Sequence, residues 1–328
     1  MADGGDGTLA VLAEHLDLST ITVPTEDPLG RPMAGTYLLG KRAAFIELAA
    51  ASGLVLLREA ERNPLKTSTY GTGLLLADAF KKDVDTVYLL LGGSATHDVG
   101  TGIMRAMGVR FLTFEGKEVV SRGDTLADIR ELVLPSRKAW LGKQIVLLCD
   151  VNNPLVGPRG AARVYAAQKG ADAAMIERLE AGARSFGVLL NKLIGKEVLS
   201  LPGGGAAGGI AAGLYAMLGA ELRPGFTAIS ALTGLEASVS WADQVVTGEG
   251  RLDTSSSEGK VVGDVLELCK KYNKKCAVVV GDSALPAHHP WPGHLASVYT
   301  LVERAGSAAA AMRDAAQLLQ RIGAELYR

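Results

Sequence analysis

Between Thr247 and Lys260 the chain reads TGEGRLDTSSSEGK, gathering Glu249, Arg251, Asp253, Lys260 and three serines among three glycines. Phosphoryl transfer needs this inventory, because its catalysis is mostly positioning and charge neutralisation. Glycine amides can surround phosphate oxygens, a carboxylate can hold Mg2+ or accept the proton of an attacking hydroxyl, and a cation can neutralise the transferred group. A solvated loop of mixed charge is the plainer explanation, but a second stretch has a related pattern. From Val84 to Gly108 an apolar run, DTVYLLL, breaks into GGSATHDVGTG and restarts as IMRAMG. Gly92 and Gly93 permit positive φ and close backbone approach. Ser94, Thr96 and Asp98 bring oxygens to where helix-terminal amides lack partners, which makes a candidate anion site with a carboxylate beside it. A third stretch, CDVNNP, puts Asp150 and Asn153 just past the apolar run Ile145 to Leu148. Asp150 and Asn152 could equally do no more than satisfy turn amides.

These residues need strands to present them. Tyr88 to Leu91 is short and uniformly apolar, as expected of a central strand covered on both faces, and Ile145 to Leu148 reads the same way. Ligands of such sheets gather at the carboxyl ends of strands, where both loops stand. Ala173 to Leu193 and Val261 to Tyr272 have helical spacing, and Leu9 to Leu16 follows a glycine turn, ADGGDGT. Val245 and Val246 are expected to close a strand that opens into a loop at Thr247. Cys276 to Val280, Val298 to Val302 and a final helix, Ala308 to Leu326, complete a strand and helix alternation that indicates a parallel sheet. The middle of the chain is more mixed. The uncharged stretch Val198 to Ala220 reads as a glycine loop, GGGAAGG, feeding a buried helix whose Ile210, Leu214, Met217 and Leu218 share a face, rather than as a membrane span.

At 328 residues the chain exceeds what one core usually holds, so two domains are expected. The net charge of -1 and the 5% aromatic content give no footprint for nucleic acid. Three scattered cysteines have neither metal spacing nor an even framework, and Asp3 and Asp6 stand where a secretory leader would be basic. A reducing cytoplasm is therefore the expected compartment, with no membrane partner. There is no GxxxxGKS or GxxxxGKT loop, no protein-kinase HRD or DFG set, and no convincing dinucleotide fingerprint. Asp3 and Asp6 lack the further ligands of a calcium loop.

Several motifs together resemble the bacterial-type glycerate kinases. They are ADGGDGT (Ala2 to Thr8), DPLGRP with AAASGL (Asp27 to Leu54), TYGTG (Thr69 to Gly73), GGSATHD (Gly92 to Asp98) and CDVNNPL with GPRGA (Cys149 to Ala161). QKGA (Gln168 to Ala171), GGGAAGG, LRPG (Leu222 to Gly225) and TGEGRLD to GK (Thr247 to Lys260) complete the set. In this order they cover nearly the whole chain. The resemblance implies two α/β domains with an active-site cleft between them. One would be flavodoxin-like with a parallel sheet built from residues 1–21 and 206–328, the other a mixed-sheet domain from residues 22–205.

The resemblance further implies an enzyme that phosphorylates D-glycerate to 2-phospho-D-glycerate, with ATP and Mg2+. Gly92, Gly93, Ser94, Thr96 and Asp98 would line the cleft from the middle domain, with Asp150 and Asn153 from its next strand. Asp3, Glu249, Arg251, Asp253 and Lys260 would line the other wall. Asp3, Asp98, Asp253 and Lys260 are the catalytic candidates, and the remaining residues bind substrate or phosphate. Asp253 is assigned as metal ligand or base, Lys260 to the ATP phosphates and Arg251 to the glycerate carboxylate. An arginine fork suits a carboxylate, whereas lysine acts on phosphate as a point charge.

The sequence departs from the resembled family in several places. His97 stands where that family usually has Asn, Leu74 where Glu is frequent, and Ser255 and Ser256 replace Gln-Thr. Its members carry a further strand and helix before ADGGDGT, and Met1 matches a methionine common inside them. The alternative expectation is accordingly a non-catalytic, N-terminally truncated remnant that binds nucleotide or glycerate without turnover.

Overall fold

The computed structural model describes residues 5, 7–253, 261–285 and 295–326. Asp3, Lys260, Ser255 and Ser256 lie outside the described residues. The described residues form two compact units, one within Ala2–Gly225 and one within Phe226–Arg328.

The larger unit is built on a mixed sheet whose strands are β1 (Ser19–Glu26), β2 (Pro32–Leu39), β3 (Ala43–Glu47), β4 (Thr86–Leu90), β7 (Gln144–Leu148) and β8 (Glu221–Arg223). They lie in the order β1-β2-β3-β4-β7-β8. β1, β2 and β3 pair antiparallel, and β3, β4, β7 and β8 run parallel. The apolar runs of β4 and β7 are central because both faces are covered: Val87, Leu89, Ile145, Val146, Leu147 and Leu148 are all buried. Two short strands, β5 (Arg110–Leu112) and β6 (Glu131–Val133), pair apart from this sheet.

The helices are α1 (Thr8–His15), α2 (Ala49–Ser52), α3 (Tyr70–Ala79), α4 (Thr101–Ala106), α5 (Ala161–Tyr165), α6 (Ala173–Ile194) and α7 (Ala206–Leu218). α6 begins where the Asp172 carboxylate accepts from the Met175 amide at 2.8 Å and ends at Gly195 in the left-handed region. Its buried face carries Leu179, Ala183, Phe186 and Leu190, and Phe186 meets Phe111 edge-on at 5.8 Å.

The smaller unit holds β9 (Gln244–Leu252), β10 (Lys275–Ser283) and β11 (Leu295–Thr300), parallel and in the order β11-β10-β9. Its helices are α8 (Gly225–Thr233), α9 (Leu235–Trp241), α10 (Val261–Lys271), α11 (Leu301–Ala305), α12 (Ala308–Arg313) and α13 (Ala315–Leu326). α10 closes the core with Val262, Val265, Leu266 and Cys269 against Cys276, Val278 and Val280 of β10.

The α/β class is as the sequence indicates, but particular elements differ. The compact division falls at Gly225 rather than near Gly205, because α7 buries Ile210 and Leu214 in the larger core and β8 pairs with β7. α1 also belongs to the larger unit: Leu12 is buried, and the Leu9 amide donates to Glu47 Oε1 at 2.9 Å. β9 does not close at Val246 but continues to Leu252, with Gly248 opposite Val279 and Arg251 opposite Asp282. A Cβ at Gly248 would stand 2.1 Å from the Val279 carbonyl oxygen, so this glycine serves a close strand pairing rather than a turn. The final helix is split at Asp314. Of the helices described, none is long and apolar enough to cross a membrane.

Candidate active site

The parallel strands β4 and β7 deliver their loops to one pocket of about 290 Å3, lined by Leu91, Gly92, Gly93 and Ser94 after β4 and by Cys149, Asp150 and Val151 after β7. Tyr165, Lys169 and Ala207 add α5, the turn behind it and the start of α7. All of these residues belong to the larger unit.

The loop after β4 is stapled to the chain beside it. Leu54 N donates to Gly93 O at 2.8 Å and Ala95 N to Ser52 O at 2.9 Å. Gly93 takes φ 66, which an L side chain rarely adopts. Among the described residues the consecutive amides of Gly92, Gly93 and Ser94 have no acceptor, and such a run of amides is suited to an oxyanion.

Beneath the loop lies a set of buried polar side chains. Asp98 is fully buried: Oδ2 accepts from the Thr69 amide and hydroxyl, both at 2.8 Å, and from Gly102 N at 3.1 Å, while Oδ1 accepts from Gly100 N. Burial pushes its carboxyl above the ordinary value, and these hydrogen bonds oppose the shift. Asp98 thus ties the loop to α3 and α4 and does not line the pocket. Thr96 is also buried, its Oγ1 3.2 Å from Ser94 Oγ. His97 is buried, with no hydrogen-bond partner for either ring nitrogen among the described residues. Burial, and secondarily the Lys169 charge, hold it down to about 3.

Lys169 enters this layer from the turn after α5. Its ammonium donates to Thr96 O at 2.8 Å and Ser94 Oγ at 3.2 Å. Burial drives it down to about 7, with Asp98 pulling the other way. In the sequence Lys169 is part of QKGA and carries no sign of this role, since its partners lie 75 and 73 residues away.

Asp150 is exposed in the pocket and anchored where Oδ1 accepts from Gly225 N at 2.8 Å. Asn153 stands outside the lining and fixes the following turn, donating to Arg159 O and accepting from the Tyr165 hydroxyl. The glycine loop before α7 packs on the β4 loop, with Ala207, Gly208 and Gly209 all at positive φ. A Cβ on Gly208 would lie 2.2 Å from Thr96 O.

In the smaller unit Glu249, Arg251 and Asp253 stand at the carboxyl end of β9. Glu249 is partly buried, its Oε1 without a hydrogen-bond partner among the described residues, and Arg251 is exposed. No group of three or more His, Cys, Asp and Glu side chains among the described residues could hold a metal ion.

A family model described as the glycerate kinase family matches residues 1–328. A glycerate kinase of Halalkalibacterium halodurans is 38% identical over 323 residues, covering 98% of this chain and 85% of that protein. The glycerate 2-kinase of Escherichia coli K12 is 35% identical over 284 residues, which is 86% of this chain and 74% of that one. The crystal structure of a Salmonella typhimurium LT2 protein assigned as glycerate kinase 2 superposes with a TM-score of 0.81 at 39% identity, covering 92% of this chain and 79% of the other. With one family model matched from end to end and these identities over most of its length, the chain belongs to the glycerate kinase family.

Proposed function

We propose that this protein transfers the γ-phosphoryl group of ATP to the 2-hydroxyl of D-glycerate, forming 2-phospho-D-glycerate and ADP. One observation supports the reading above the rest. The pocket sets the Gly92, Gly93 and Ser94 amides, which lack acceptors among the described residues, beside the exposed Asp150 carboxylate, in a chain of a kinase family. Its volume, about 290 Å3, is at the low end for ligand pockets and suits a small acid.

In this account Asp150 orients the 2-hydroxyl and takes its proton as the oxygen–phosphorus bond forms. The bond between the γ-phosphorus and the bridging oxygen breaks, and its electron pair leaves with ADP. Asp98 holds the loop that presents the amides. Arg251 is assigned to the glycerate carboxylate, and Lys260 and Asp3, outside the described residues, to the phosphates and the reacting groups. Mg2+ would supply neutralisation of phosphate charge, and beside a triphosphate one or two protein carboxylates would suffice to hold it. The absence of a preformed cluster among the described residues is compatible with that, and Asp253 is the assigned ligand. The free Cys149, Cys269 and Cys276 suit a reducing cytoplasm.

The assignment of Asp150 is tested with Asp150→Asn, which retains an Oδ1 acceptor for Gly225 N. Loss of the base should lower kcat for glycerate-dependent ADP release roughly a hundredfold or more, with an unchanged melting temperature. Equal turnover would remove Asp150 from the reaction.

A further inference from the structure

Lys169 carries an amine almost wholly withdrawn from bulk solvent, and charging it there is costly unless something compensates the ammonium. The compensation present is incomplete. Nζ donates to a carbonyl and a hydroxyl, Thr96 O and Ser94 Oγ. An ammonium has three donors, and neither partner carries charge. The buried carboxylate whose charge acts on it, Asp98, is engaged by Thr69, Gly100 and Gly102 and makes no ion pair with Lys169.

Lys169 is one of the residues lining the pocket together with Gly92, Gly93 and Ser94, whose amides have no acceptor among the described residues. Two independent features therefore meet at one place: a buried amine with no counter-ion to hold its charge, and a run of amides short of an acceptor. An oxyanion satisfies both.

We propose that Lys169 is the anion-binding cation of this pocket and takes up a proton from solvent as a ligand oxyanion seats against the Gly92, Gly93 and Ser94 amides. The inference rests on the kinase reading for the identity of the ligand, whose carboxylate or phosphate shares this chemistry. The titratable groups around Lys169 are Asp98 and His97 on the β4 loop, Cys149 and Asp150 after β7, and Tyr165 on α5. Arg62 lies close behind, its carbonyl against Gly170. Burial pushes Cys149 up to about 11 and raises Tyr165, so both stay neutral near pH 8. Burial lowers Lys169 to about 7, so near pH 8 the amine is mostly neutral until an anion favours its charged form. An arriving anion favours the charged amine, and the proton it draws is measurable.

Titration calorimetry at about pH 8, in two buffers of different ionisation enthalpy, counts protons taken up on binding. D-glycerate alone and MgATP alone form separate arms that distinguish a carboxylate from a phosphate. The wild type is expected to take up a proton with one of them. Lys169→Gln and Lys169→Met should lose that uptake, and affinity for the same ligand should fall on the order of tenfold or more. Replacing the buried amine by an uncharged side chain of similar length leaves the fold in place, which a melting curve verifies. Binding without proton uptake in the wild type, or with unaltered uptake and affinity in both variants, overturns the proposal, as does a wild type that binds neither ligand. If the variants do not fold, the wild-type proton count alone decides. Unaltered variants that still make phosphoglycerate would sink this inference and leave the kinase reading intact. Lost uptake and affinity in a protein that makes no phosphoglycerate would do the reverse.

Discussion

Both ring nitrogens of His97 are buried without a hydrogen-bond partner among the described residues, and Lys169 stands close enough to add its charge. Burial first, and that charge second, lower the imidazole from 6.5 to about 3. Between those values the unfolded chain binds a proton that the folded chain refuses. The stabilisation is therefore present above about pH 6.5 and is lost as the pH falls towards 3. Asp98, whose carboxyl burial raises, works in the opposite sense within the same layer. His97→Asn removes the titration while keeping a polar side chain, so its acid unfolding, followed by circular dichroism, is expected to move to lower pH. An unchanged midpoint would mean that protonation of His97 does not drive the acid transition. Lys169 makes a similar point about what can be read in advance. A lone lysine among alanines carries no local signal, and only the fold sets it under a loop far away in sequence.

The element that closes this layer is the glycine loop entering α7. Gly208 has φ 70, and a Cβ there would meet Thr96 O at 2.2 Å and His97 Cα at 2.7 Å. Both obstacles are backbone on the β4 loop, so no flexible side chain can yield. Gly208→Ala is expected to cost about 3 kcal/mol and to lower kcat/KM along with the melting temperature. A variant with wild-type stability would show that the two loops are not packed as described. At this scale much was legible in the sequence. β4, β7 and α6 announce themselves through continuous apolar runs, a 3.6-residue period and the Asp172 cap. The extension of β9 through Gly248 and Gly250 was not, because a glycine that marks a turn and one that admits a neighbouring strand look alike until Val279 is placed against it.

Among the described residues, one large hydrophobic core lies around β4, β7, α6 and α7 and another around β10 and α10. The compact units divide at Gly225 because GGGAAGG, which by glycine content alone resembles a linker, is packed inside the larger unit. The pocket residues Gly92, Gly93, Ser94 and Asp150 were legible from glycine spacing and from their place after apolar runs. Asp98 and Asn153 stand behind the pocket as supports, a distinction that depends on burial and hydrogen-bond direction rather than on residue type. Glycerate phosphorylation is a reaction of the whole chain. ³¹P NMR of the protein with D-glycerate and MgATP tests it most directly, because the coupling of a new phosphomonoester signal to carbon-bound hydrogen identifies the oxygen that was phosphorylated. The account predicts 2-phospho-D-glycerate growing in step with ADP. A 3-phosphoglycerate signal, or ATP left unchanged beside folded protein, would contradict it.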